Sequence, residues 1–299
     1  MSKLSIIVRN EYMTDIRSKS FWIGTFLMPV IFVLFGVFIG YMAESSDTLL
    51  ATSNPLSSPD NPKTGWQIAG MLVGILLTLF IMIYGAQIFN KVKSEKCNRI
   101  MEVLSTCVTG RTMMLGKIIS VALVGMTQMV LWGILLSVCA GVLILLSGVN
   151  VPLEVFGDVR LYTSLLWGVA FFAGGYIFYA SMFAATGAMT DKNQENQEYL
   201  TILTFILLGS FYIGQYATDN ITSSVAVWCS YIPFTSATVG AIGAIGGDVP
   251  LWQSLLSLVS LYVCAALMLL FSGKLYTSVL LLKGKRITPR DIITFMKSK

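Results

Sequence analysis

The sequence predicts an all-α membrane protein with six transmembrane helices, and three observations carry the prediction. Of 299 residues, 55% are hydrophobic and only 12% are charged, against about 25% charged in an ordinary soluble domain. The charges are separated by long uncharged runs, each near the roughly 20 apolar residues that cross a bilayer. Of the 20 basic residues, 18 fall in alternate segments between those runs. So little charge excludes a soluble globular enzyme, a disordered chain and a collagen-like rod.

Residues 1–20 read as an interfacial helix. Leu4, Ile7, Val8 and Tyr12 share a side at 100° per residue, with Glu11 and Asp15 projecting among them. Two carboxylates among lipid headgroups are costly. The helix is therefore expected to abut protein, with Glu11 and Asp15 as a secondary contact to a partner. A frayed tail, or local pairing with Arg17 and Lys19, is the alternative. The apolar run after Lys19 is too long for the core of a cleavable signal.

The body of the chain, 21–273, holds expected spans at 21–43, 67–89, 118–146, 161–187, 199–217 and 251–273. The loop at 44–66 is rich in Ser, Asn, Pro and Asp and is too small for a domain. A seventh uncharged run, 220–247, contains Pro233, Gly240, Gly243, Gly246 and Gly247 with many hydroxyl residues. Such a run breaks a helix, and bare backbone is not tolerated against lipid. A short external re-entrant helix pair within 218–250 is expected instead. With six spans, basic residues gather in the N-terminal segment, the 90–117 loop, the 191–198 loop and the 274–299 tail. The opposite side keeps only Lys63 and Arg160. The positive-inside rule then places both termini in the cytoplasm.

Several chemistries are absent from the sequence. There is no histidine, so no His-based triad, metal site or proton relay. The five cysteines show no CxxC or close ligand spacing, so no metal or disulfide framework is expected. No expected span carries an interior Asp, Glu, Lys or Arg, which argues against a proton-driven carrier. The string from Gly110 to Ile118 imitates a phosphate-binding loop. Its glycines are one residue too far apart, and Ile118 cannot hold magnesium. If the protein uses ATP, the ATPase is another chain.

The 90–117 loop is the most informative stretch. It reads Glu95-Lys96-Cys97-Asn98-Arg99-Ile100-Met101-Glu102-Val103-Leu104, then Leu115-Gly116-Lys117. Glu95, Arg99 and Glu102 fall on one side of a helix, in favourable i,i+4 and i,i+3 pairs. Ile100, Val103, Leu104 and Cys107 form the neighbouring stripe. This is a short amphipathic helix over 95–107. It either joins two spans as a solvated element or docks against a partner.

This string, followed by Leu-Gly-Lys opening a span with Gly125 and Gln128, resembles the NatB-like permeases of type-2 ATP-binding-cassette (ABC) exporters. Arg9-Asn10-Glu11-Tyr12, Arg17-Ser18-Lys19-Ser20-Phe21 and Ile232-Pro233-Phe234-Thr235 are similar to the same family. The resemblance implies that helix 95–107 is the coupling helix, with Glu95, Lys96, Arg99 and Glu102 carrying the contact to a cytosolic ATPase subunit. It implies a second permease copy and a multi-pass bacterial cell-membrane protein. It implies no cofactor in this chain, since ATP is bound by the partner. Many such permeases carry a large external domain where only 44–66 stands here. The implied function is export of an ion, drug, peptide or lipid, without enzymatic activity in the chain itself. The alternative is a self-contained carrier or channel. For the basic tails, membrane lipid is the expected partner, not nucleic acid.

Overall fold

Among the described residues every element is an α-helix and no strand occurs. The computed structural model describes residues 3–19, 21–27, 29–30, 65–97, 108–147, 159–190, 197–219, 223–246 and 249–281. In chain order the helices are α1 (Lys3–Ile16), α2 (Gly65–Cys97), α3 (Gly110–Ser147), α4 (Val159–Met189), α5 (Gln197–Asp219), α6 (Ser224–Tyr231), α7 (Pro233–Gly246) and α8 (Leu251–Leu281). A further helical stretch covers 21–27.

Among the described residues four helices are long and apolar enough to cross a membrane: Val73–Lys96 in α2, Thr112–Leu135 in α3, Tyr162–Met189 in α4 and Leu251–Thr277 in α8. They occupy four of the six expected spans. The fifth, at 199–217, corresponds to α5, whose apolar part Leu200–Tyr216 is shorter. The expected first span is helical over 21–27, and its part beyond residue 30 lies outside the described residues. Residues 44–64 and 282–299 also lie outside them.

The helices run further than the apolar runs suggest. The segment expected as a loop over 90–117 is helical to Cys97 and again from Gly110. Lys91, Glu95 and Lys117 are therefore helix residues, beyond the ends of the expected spans. The physical reason is pairing: a charge with a fixed counter-ion does not force a helix to stop at the edge of its apolar stretch. α8 likewise continues to Leu281, into the expected tail. The string that imitates a phosphate loop forms the first turns of α3.

The core is aromatic. Phe80, Tyr84, Phe172, Phe171, Tyr179 and Phe183 are buried in one cluster. Phe80 meets Trp132 and Phe172 edge-to-face, at ring separations of 5.5 and 5.7 Å. Gly174 and Gly175 set the approach of α4 to its neighbours. A Cβ at Gly174 would come within 3.0 Å of Leu261 in α8, and one at Gly175 within 2.7 Å of Ala237 in α7. The outer faces are the most apolar surface: Leu166, Phe205 and Trp252 are 71%, 69% and 63% exposed. A soluble protein would not leave such side chains in water, and hydrocarbon is their natural surroundings.

α6 and α7 form the pair expected between the last two spans, bent by 118°. The break has a local cause. Ile232 is extended, at φ −72° and ψ 123°, as a residue before proline must be. Pro233 then opens α7, where its missing N–H costs nothing. Ser223 caps α6 by accepting from the Ala226 N–H at 3.2 Å. The hydroxyls that argue against a span hold this pair in place. Ser236 and Ser257 lie 2.8 Å apart, Thr238 donates to the Ser210 carbonyl at 3.2 Å, and the Tyr179 hydroxyl donates to the Phe234 carbonyl at 2.6 Å. At the far end of α7, Arg160 donates to the Gly246 carbonyl at 2.8 Å, where helix carbonyls lack intrahelical donors.

Candidate functional site

The site is built where α1 crosses the ends of α2 and α3. Leu4 and Ile7 face α3 at Gly116. A Cβ at Gly116 would sit 2.7 Å from Ile7 Cγ2, so only glycine lets α1 lie this close. One turn further along α1, Glu11 and Asp15 project from the same face, one helical turn apart. Ile6, Arg9, Asn10, Met13 and Arg17 line a hollow on the opposite face.

Both carboxylates meet lysines of the long helices. Lys91 in α2 donates to Glu11 Oε2 at 2.8 Å and to Asp15 Oδ2 at 2.6 Å. Lys117 in α3 donates to Glu11 Oε1 at 2.9 Å and also to Glu95 Oε1. The Tyr276 hydroxyl in α8 donates to Glu95 Oε2 at 3.2 Å and lies 3.4 Å from Met113 Sδ. One network thus joins α1, α2, α3 and α8. The Lys117 side chain is 1% exposed. A buried ammonium persists only with close counter-charges, and Glu11 and Glu95 supply them. Burial pushes the Glu11 carboxyl up, but Lys117 and then Lys91 outweigh it and hold the group below its usual range.

The structure places the sequence-predicted residues as follows. Glu11 and Asp15 meet the chain's own lysines, because α1 lies close to the ends of α2 and α3. Glu95 points inward to Lys117 and Tyr276. Lys96 is half-buried at the end of α2. Arg99 and Glu102, with the rest of the expected coupling helix past Cys97, lie outside the described residues. Lys91, Lys117 and Tyr276 are site residues that the sequence reading misses. Lys117 already stands in the Leu115-Gly116-Lys117 string, and two carboxylates on the inward face of α1 are a signal that basic partners must lie opposite. Tyr276 gives no signal, since its place is assigned to a tail.

The arrangement is electrostatic and mechanical. Among the described residues no group of three or more His, Cys, Asp or Glu side chains could hold a metal ion. The three carboxylates are interleaved with ammonium groups, which suits anchoring of one helix to two others.

Comparison with known proteins bears on this architecture. The sequence model described as "ABC-2 family transporter protein" matches residues 44–274. The chain belongs to the ABC-2 transporter family. The match takes in Lys91, Glu95 and Lys117 and leaves Glu11, Asp15 and Tyr276 outside it. The ABC-2 chain is 23% identical over 228 residues to Uncharacterized protein YhaP of Bacillus subtilis, covering 73% of this chain and 53% of YhaP. It is 23% identical over 229 residues to Uncharacterized protein MJ1024 of Methanocaldococcus jannaschii, covering 76% of this chain and 54% of that protein. The chain thus spans about half the length of these curated relatives. No solved structure matches it.

Proposed function

We propose that this chain is the permease subunit of an ATP-driven ABC exporter of NatB-like type. Six spans cross the cell membrane with both termini in the cytoplasm, and the α6–α7 pair lies on the outer side. Two permease copies surround a path, and a cytosolic ATPase subunit binds below and hydrolyses the ATP. The ABC-2 family membership supports the transporter class.

The observation that carries the mechanism is the ion network at the ends of α2 and α3. The two helices are separated by only residues 98–109. In this reading Lys96, Arg99 and Glu102 meet the ATPase, and Glu95 ties that segment to Lys117. A push on the segment reaches α2, α3 and α1 together through Lys117, Lys91 and Glu11, and rocks the spans between inward- and outward-facing states. Coupling then has a defined physical route, because the push favours one of two packings of the same helices.

The test is the set of proteins that copurify with the tagged chain in mild detergent. A stoichiometric ATPase with a Walker A sequence is expected. A chain that purifies without one and transports alone in vesicles overturns the reading in favour of a self-contained carrier.

A further inference from the structure

Between α1, the helical stretch at 21–27, α2 and α3 lies a cavity of about 430 Å³, within the roughly 300–1,000 Å³ of small-molecule sites. It has two chemically different ends. Asp15, Ser18, Asn90 and Lys91 line one, and Trp132 lines the other, with Phe21 and Val124 along the way. Tyr84 and Gln128 stand between them. Along α2 the lining runs from Ile83 to Lys91, about 12 Å at 1.5 Å per residue.

Among the described ion pairs the network beside the polar end holds more acid than base. The Lys91 ammonium is taken by Glu11 and Asp15, and Lys117 is taken by Glu11 and Glu95. Three carboxylates therefore face two ammonium groups, and one negative charge is left over. Arg9 and Arg17 lie on the opposite face of α1. Of the three carboxylates, Asp15 alone lines the cavity. It uses Oδ2 for Lys91 and keeps Oδ1 for another partner. Deeper in, the Gln128 side chain is only 8% exposed and accepts the Tyr84 hydroxyl on Oε1. Its Nε2 is left to an occupant. Gly24 keeps the space open: a Cβ there would touch only Gln128 Nε2, at 3.6 Å.

We propose that this cavity binds an amphiphilic organic cation, with its ammonium at Asp15 and its apolar body against Phe21, Tyr84 and Trp132. A carboxylate answers the charge, and aromatic faces attract a cation and cover an alkyl body together. An anionic amphiphile would meet the excess carboxylate. A purely apolar molecule would leave Asp15 Oδ1 and Gln128 Nε2 covered with nothing to bond. Binding needs no ATPase, so its outcome is separate from that of the permease reading.

The experiment uses the full chain in phosphatidylcholine nanodiscs and labelled dodecyltrimethylammonium. Saturable binding near one per chain is expected, with dodecanol and dodecanoate competing at least tenfold less well. Gly24→Leu, which fills the cavity and touches no ion pair, should weaken binding at least tenfold, while Gly24→Ala should not. Asp15→Asn should weaken it to a similar degree. Where Gly24→Leu loses helix content by circular dichroism, Gln87→Trp fills the same space from α2. Native affinity in both the Gly24→Leu and the Gln87→Trp variants, or displacement by dodecanol as effective as by the cation, overturns the proposal.

Discussion

Lys117 and Glu11 stand 2.9 Å apart although 106 positions separate them in the chain. The lysine is buried, and its other carboxylate, Glu95, comes from a third helix. Removing it should therefore be more harmful than removing any exposed charge in the protein. Lys117→Ala leaves Glu95, whose side chain is 17% exposed, with only the Tyr276 hydroxyl. A loss of about 3–5 kcal/mol is expected, the usual cost of breaking a buried pair from one side. Thermal unfolding in nanodiscs would measure it. A Lys117→Ala variant as stable as the parent would mean that the network contributes little.

Gly116 makes the approach of α1 possible. Gly116→Val places a methyl-bearing carbon within 2.7 Å of Ile7 Cγ2, so α1 should be displaced while α4, α7 and α8 stay packed. Limited proteolysis should then cut within residues 3–19, with the remaining core unchanged in stability. Equal protease resistance in Gly116→Val and the parent would contradict this packing.

Acid should release α1 in a defined window. The folded Glu11 carboxyl is held below its ordinary value of 4.5 by Lys117 and Lys91. Its contribution is fully present above that ordinary value and is lost as pH falls through the lower, folded value. Labelling of an Ile7→Cys variant, relative to a free thiol labelled at the same pH, should stay constant from neutral pH down to about 4.5 and rise only below it. Asp15 and Glu95 face the same lysines, so the comparison with Glu11→Gln isolates the Glu11 share: in that variant the acid-induced rise should be smaller.

Coupling makes its own demand on Arg99 and Glu102. Reversing both charges should separate ATP hydrolysis from transport by at least tenfold while membrane insertion stays normal. Reconstituted vesicles with the copurified ATPase would read both quantities. Native export by the double variant would remove these residues from the coupling contact.

The helical class is legible because it follows from where charges are missing, and the α6–α7 break because Pro233 and its glycines act locally. The ends of α2, α3 and α8 are not, because hydropathy stops at the first charge while a helix continues wherever that charge is paired. Lys91, Glu95 and Lys117 are such residues. Their partners lie in α1, and no spacing rule links Glu11 to a lysine more than a hundred positions away. Glu11 and Asp15 are recognisable as costly on a lipid-facing helix. That cost predicts a protein neighbour without saying which helix supplies it.

Glu11 grips α2 with one carboxylate oxygen and α3 with the other. Each lysine it holds also has a second acid, Asp15 for Lys91 and Glu95 for Lys117. If Glu11 lets go, neither ammonium is orphaned, and both swing fully onto their remaining acids. The joint is therefore a latch with a built-in catch on either side. The Glu11 side chain can let go by itself without orphaning either lysine, and the barrier to that step is that of exchanging one partner rather than of exposing a bare lysine.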